Sequence, residues 1–179
     1  GKSSILEAID LALGPDRLSR RPPVDEHDFF EGKYLPVTAA TAQEGAVPEE
    51  VAIVEGPRIT VEVTVVDLSE EQAARFGGNI EWINVETGKF FTEANPAGVD
   101  ASNIQAALRV TFIGSYDPEE DDFSGNTYFS RSLTEGERPE PFTKRDKQYC
   151  GFLFLRSIRT GSRALSLEHG SLLDIILRL

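Results

Sequence analysis

Residues 1–15, GKSSILEAIDLALGP, decide how this chain is read. The spacing predicts a helix over Ser3–Leu13, with Ile5, Leu6, Ile9, Ala12 and Leu13 on one face. Gly14 and Pro15 end it, the glycine as C-terminal breaker and the proline just beyond. The residues that open the helix, Gly1-Lys2-Ser3-Ser4, match the back half of the phosphate-binding pattern G-x-x-x-x-G-K-[ST]. In that pattern the backbone N–H groups at a helix N-terminus form an anion nest. Lys2 would reach the β- and γ-phosphates, and the Ser3 hydroxyl would hold Mg²⁺. The front half of the pattern would lie ahead of Gly1. The chain has no methionine, and the expectation is a sequence that begins inside a longer gene product.

Composition narrows the classes. A length of 179 residues with 40% hydrophobic content suits one globular domain or a large piece of one. The chain has 18 Lys and Arg against 30 Asp and Glu, for a net charge of −12. That sign disfavours this chain as the main grip on DNA phosphates. The lone Cys150 excludes an internal disulfide framework and a multi-cysteine zinc site. It reads as a small, semi-buried hydrophobe. No apolar run approaches a membrane span and no signal peptide is visible, so no membrane partner and a cytoplasmic location are expected.

Beyond the first helix, 16–57 reads as a loop-rich connection. It holds Arg17, Arg20, Arg21 and the pair Pro22-Pro23, then a segment rich in Ala, Thr and Glu. A β-rich block occupies 58–168. Ile59, Val61, Val63 and Val65 alternate with polar neighbours, as in a strand with one wet face. Ser69–Phe76 predicts a short helix capped by Ser69 and followed by Gly77-Gly78. Ile80–Val85 and Lys89–Thr92 predict a hairpin around Glu86-Thr87-Gly88. Ile104–Tyr116 alternates through Ile104, Ala106, Leu108, Val110 and Phe112. Asp117–Asn126 reads as an acidic loop, Thr127–Leu133 as a strand, and Phe152–Ile158 as a further strand. Residues 169–179 begin a last helix, with a capping-box start at Ser171. The fold class is therefore α/β, or α+β within this chain: a P-loop helix followed by an antiparallel β lobe.

Four further groups of side chains invite a chemical reading. Asp25-Glu26-His27-Asp28 offers three carboxylates and an imidazole, but a metal site needs ligands from more than one segment. The run Asp117, Glu119, Glu120, Asp121, Asp122 departs from the EF-hand spacing and suits a hairpin tip kept soluble by charge. His169 has no legible triad partners. Arg156, Arg159 and Arg163, with Lys144, Arg145 and Lys147 upstream, form a cationic cluster. It would meet nucleotide phosphate, DNA, an acidic partner, or the chain's own acidic loops.

Three segments together, GKSSILEAIDLALGP, DEHDFFEG and YCGFLFLRSIRTGSRALSLEHGSLLDIILRL, resemble the N-terminal ATPase region of the OLD (overcoming lysogenization defect) family. Members are ATP-dependent endonucleases that join an ABC-type ATPase head to a Toprim nuclease domain. The resemblance runs through nearly the whole chain and is most specific over Gly151–Leu179. It implies that Gly1, Lys2 and Ser3 are the end of a Walker A motif binding ATP phosphate, with Ser3 on Mg²⁺. Ser4 follows the motif and starts the helix. It also implies a homodimer through ATPase heads, with DNA bound by other regions. Phe152–Ile158 falls where such heads carry the Q-loop, but Arg156, Ser157 and Arg159 stand where relatives use glutamine. The signature motif, Walker B pair and Toprim domain have no counterpart in these residues, so no catalytic residue is assigned and the 179-residue chain alone is expected to be inactive. Two other readings stand beside this one: a RecF- or SMC-like ATPase of DNA repair or chromosome maintenance without a nuclease domain, and a non-catalytic interaction module whose Gly-Lys-Ser match is accidental.

Overall fold

The computed structural model describes residues 2–14, 22–36, 56–134 and 138–152. The expected strand Phe152–Ile158 and the final helix lie outside these residues, apart from Phe152 itself. So do Pro15, Gly1 and most of the expected loop before Arg58.

The described residues build a mixed α/β unit around one antiparallel sheet of five strands. Helix α1 (Lys2–Leu13) comes first, followed by two short 3-10 turns at 26–28 and 30–32. Strand β1 (Arg58–Val66), helix α2 (Glu70–Phe76) and the strands β2 (Ile80–Asn84) and β3 (Phe90–Phe91) come next. The long strand β4 (Ile104–Asp117) leads into β5 (Asp122–Phe129), α3 (Ser130–Thr134) and α4 (Lys144–Cys150). Strand β4 pairs with three of the other four strands, and β3 joins the sheet through β2. Its residues 107–115 pair with β1 on one edge. On the other edge 104–108 pair with β2 and 110–117 with β5.

Local signals account for much of this. Ser69 Oγ accepts the Gln72 N–H, and the Gln72 side chain accepts the Ser69 N–H, so the start of α2 is capped in both directions. Asn84 Oδ1 accepts the N–H groups of Glu86 and Thr87, and Gly88 takes φ +69°, which closes the β2–β3 hairpin. In β1 the period-two pattern is realised: Ile59, Val61, Val63 and Val65 pack on the core while Arg58, Thr60, Glu62, Thr64 and Val66 are exposed.

The core lies on the face of the sheet that carries Leu108, Val110 and Phe112. These join Ala12 and Leu13 of α1, Val24, Phe76 of α2, Phe129 and Phe142. The rings of Phe129 and Phe142 meet edge-on at 5.1 Å, and Phe76 lies 5.9 Å from Phe142. Gly125 is required here: a Cβ on it would come within 2.5 Å of the Phe112 ring and 2.8 Å of Pro23.

The opposite face is polar but not uniformly wet. Arg109 on β4 makes a bidentate pair with Glu81 of β2, at 2.9 and 2.8 Å, and reaches Glu62 of β1 at 3.3 Å. Its guanidinium lies 4.3 Å from the centre of the Phe90 ring. The Glu81 side chain is only 6% exposed, so this cation ties three strands at a site largely closed to solvent. The Glu81 hydrogen bonds, set against burial, raise the Arg109 pKa further.

Two expectations need correction, and one element was missed. Ile5 and Leu6 are not on a buried face: they are 63% and 42% exposed, because α1 packs with its C-terminal half, where Asp10, Ala12 and Leu13 are buried. Of Thr127–Leu133, only Thr127–Phe129 is strand. The strand begins earlier, at Asp122, and Ser130 onward is helical. Cross-strand pairing of 122–126 with 113–117 overrides the poor strand propensity of Asp, Ser, Gly and Asn there. Helix α4 was not expected at all, and 144–147 read only as part of a cationic cluster.

Replacing Arg109 with alanine would leave Glu81 buried without its cation. We expect a loss of about 3–5 kcal/mol in urea-induced unfolding. Removing the exposed end of the network by Glu62→Gln should cost less than about 1 kcal/mol. Equal losses for the two would refute this division.

Candidate functional site

Helix α1 is held at one end and open at the other. At its C-terminal end, Thr127 Oγ1 donates to the Ala12 carbonyl at 3.3 Å and Lys147 Nζ to the Leu11 carbonyl at 3.4 Å. The Gly14 N–H donates to the Asp10 carbonyl at 2.8 Å. These donors satisfy carbonyls that a helix end leaves without intrahelical partners, and Lys147 complements the negative end of the helix dipole. A side chain at position 14 would collide with Asp10, whose Oδ1 lies 2.1 Å from the Cβ position.

At the N-terminal end, Lys2, Ser3 and Ser4 begin the helix and are exposed, and the first turn holds no acidic residue. The amides of this turn, the Lys2 ammonium and the Ser3 hydroxyl make a donor set suited to an anion. Gly1 lies outside the described residues, as do Arg156, Ser157, Arg159, Arg163 and His169. Of the upstream basic residues, Lys147 is turned to the Leu11 carbonyl, while Lys144 and Arg145 are exposed.

The Asp25 and Asp28 carboxylates serve the backbone. Asp25 Oδ1 accepts the His27 N–H, and Asp28 Oδ2 accepts the Asp25 N–H, forming a capping box around the first 3-10 turn. The acidic run sits where the β4–β5 hairpin turns. Asp117 Oδ1 accepts the N–H groups of Glu119 and Glu120, and Asp121 adopts φ +51°. The Tyr116 hydroxyl donates to Asp121, and chiefly through that bond its pKa is pushed up to about 12. Among the described residues no group of three or more His, Cys, Asp or Glu is placed to hold a metal ion.

Helix α4 reaches its position through a cluster that the sequence reading missed. Thr143 caps it, and Asp146 caps back on Thr143. Asp146 also accepts from Arg75 of α2, at 2.7 and 3.2 Å, and the Arg75 guanidinium lies 5.0 Å from the Tyr149 ring centre. Burial disfavours the Asp146 charge, but the bonds from Thr143 and Arg75 outweigh it, and its carboxyl sits below the usual range. Burial, and then the nearby Asp146 charge, push the Cys150 thiol up to about 11. It is a neutral thiol at physiological pH, consistent with a small core residue and unsuited to nucleophilic work. The Thr143-x-x-Asp146 spacing was the available signal for α4.

The described part is thus a mixed α/β domain with an antiparallel sheet that presents the N-terminus of its first helix to solvent. No family model, curated protein or solved structure matches the chain. Among the described residues no helix is long and apolar enough to cross a membrane.

Because the folded pKa of Asp146 is depressed, its stabilisation is complete above the unfolded value of about 3.9 and is lost as pH falls through the lower folded value. The stability gap between the wild type and Asp146→Asn should therefore shrink as urea titrations move from about pH 7 to pH 3. A gap that stays constant would refute the ionised pair. At the hairpin tip, Asp121→Asn and Asp122→Asn should each change stability by no more than about 0.5 kcal/mol in thermal melts, since Asn tolerates positive φ. A larger loss would indicate a bound cation.

Proposed function

We propose that the start of α1 is the phosphate-binding end of a P-loop and that this domain belongs to the ATPase head of an OLD-type, ATP-dependent DNA endonuclease. One observation carries the reading. The helix begins at Lys2 and has no acidic residue in its first turn. A carboxylate there would repel a phosphate. The family assignment rests on the resemblance of the three segments quoted above.

In this reading Lys2 neutralises charge on the β- and γ-phosphate oxygens of ATP. The Ser3 hydroxyl would hold Mg²⁺, which when bound would offset negative charge on the phosphate. The first-turn amides hold the phosphate in place, and the pinned C-terminal end of α1 keeps them from shifting as it binds. The role of these residues is positioning and electrostatic, without covalent chemistry. The carboxylate that activates water, the opposing signature motif and the DNA-binding surface would come from other parts of the protein and of a second head.

Lys2→Ala tests the site. In the full-length protein it should weaken binding of a fluorescent ATP analogue by about tenfold or more, the scale of losing a charge-assisted contact. Unchanged affinity would sink the P-loop reading and favour a non-catalytic interaction module.

A further inference from the structure

The C-terminal ends of α1 and α4 meet at one cation. Lys147 lies in the last turn of α4, and its Nζ donates to the carbonyl of Leu11 in the last turn of α1, a residue 136 positions away. Helix α1 has no basic residue in its own last turn, so the charge that complements its negative end comes from α4. The same half-buried ammonium stands at the negative end of α4 itself. From the sheet side, Thr127 Oγ1 donates to the next carbonyl, that of Ala12. Helix α4 is tied in turn to α2: Asp146, beside Lys147, accepts from Arg75, and Gln72 Nε2 donates to the Tyr149 carbonyl at 2.9 Å. A run of polar bonds therefore leads from α2 through α4 to one end of α1, and Lys2 and Ser3 start the other end.

We propose that Lys147 is a positioning residue for the phosphate site: it sets the direction of α1, and so the place of the first-turn amides and Lys2, without touching the nucleotide. The proposal rests on the P-loop reading above. Apolar packing of Ala12 and Leu13 is non-directional, whereas a hydrogen bond has a preferred angle, so the donors on the last carbonyls fix how the helix points. The lever is long. The 12 residues of α1 span about 18 Å, and a tilt of about 3° moves the far end by about 1 Å. Misplacement on that scale is enough to weaken phosphate contacts. The size of the effect is bounded by the bond itself, whose loss is worth about three- to tenfold in an equilibrium constant. Coupling of this kind is reciprocal, so bound nucleotide favours the arrangement in which the α1–α4 contact is closed.

The test is the affinity of the full-length protein for a fluorescent ATP analogue, with circular dichroism as the check on folding. Lys147→Met removes the charge and the donor but keeps an unbranched stem, and should weaken binding about three- to fivefold. Lys147→Arg keeps both and should stay within about twofold of the wild type. Asn84→Ala opens the β2–β3 turn, where Asn84 serves Glu86 and Thr87, and should lower the melting temperature without changing affinity. Hydrogen exchange supplies a second readout: the bound analogue should slow exchange over Lys144–Cys150 in the wild type and not in Lys147→Met. Unchanged affinity in Lys147→Met, no recovery in Lys147→Arg, or an equal loss in Asn84→Ala overturns the proposal. Lys2→Ala tells its failure from that of the reading beneath it. If Lys2→Ala binds as the wild type does, the P-loop reading has failed and this proposal falls with it. If Lys2→Ala binds weakly and Lys147→Met normally, positioning by Lys147 alone has failed.

Discussion

The backbone ladder of β4 is the constraint on which the rest of this structure depends. One strand pairs with β1 along one edge and with β2 and β5 along the other. That shared pairing leaves β4 among the most enclosed parts of the sheet. Leu108 and Val110 are completely buried on one face, and Ala107 is completely buried on the other. The two faces are closed differently. Helices and phenylalanine rings cover the first, while Arg109, Glu81 and Phe90 close the second. A sheet whose second face is polar needs such a paired cation, because an unpaired Glu81 at that depth would be costly.

From this sheet follows the placement of α1. The helix lies on β1 and β4 and buries only its last residues, where Thr127 and Lys147 take up its carbonyls. Its first turn is left in water. Anchoring at the C-terminal end belongs to the same arrangement that leaves Ile5 and Leu6 uncovered.

Segments with complete local instructions were legible from the residues. Ser69 and Gln72 cap α2 within four residues, and Asn84 and Gly88 shape their own turn, so neither needs a distant partner. The alternation in β1 announced a strand and its inward face. Strand β5 was not legible over 122–126, since Asp-Phe-Ser-Gly-Asn reads as loop until β4 is laid beside it. Helix α4 was obscured because its basic residues suggested a binding patch. Its capping pair was visible, but the partner that fixes it, Arg75, is distant in sequence. The candidate site was legible as residue types, Lys2 and Ser3 at a helix start. Their exposure was not, because it depends on which half of α1 the sheet covers.

By itself the sequence determined where short-range forces act: the caps, the hairpin turn, the period-two strand and the cationic, hydroxyl-bearing start of the first helix. Only the tertiary structure decided which apolar faces are buried, that Ile5 and Leu6 are left outside, and that Asp122–Asn126 is strand. It also decided that Arg109 and Asp146 act as bonds between elements. The physical reason is range. Capping and turn chemistry close within a few residues, whereas burial, strand pairing and ion-pair strength depend on groups brought together from distant parts of the chain.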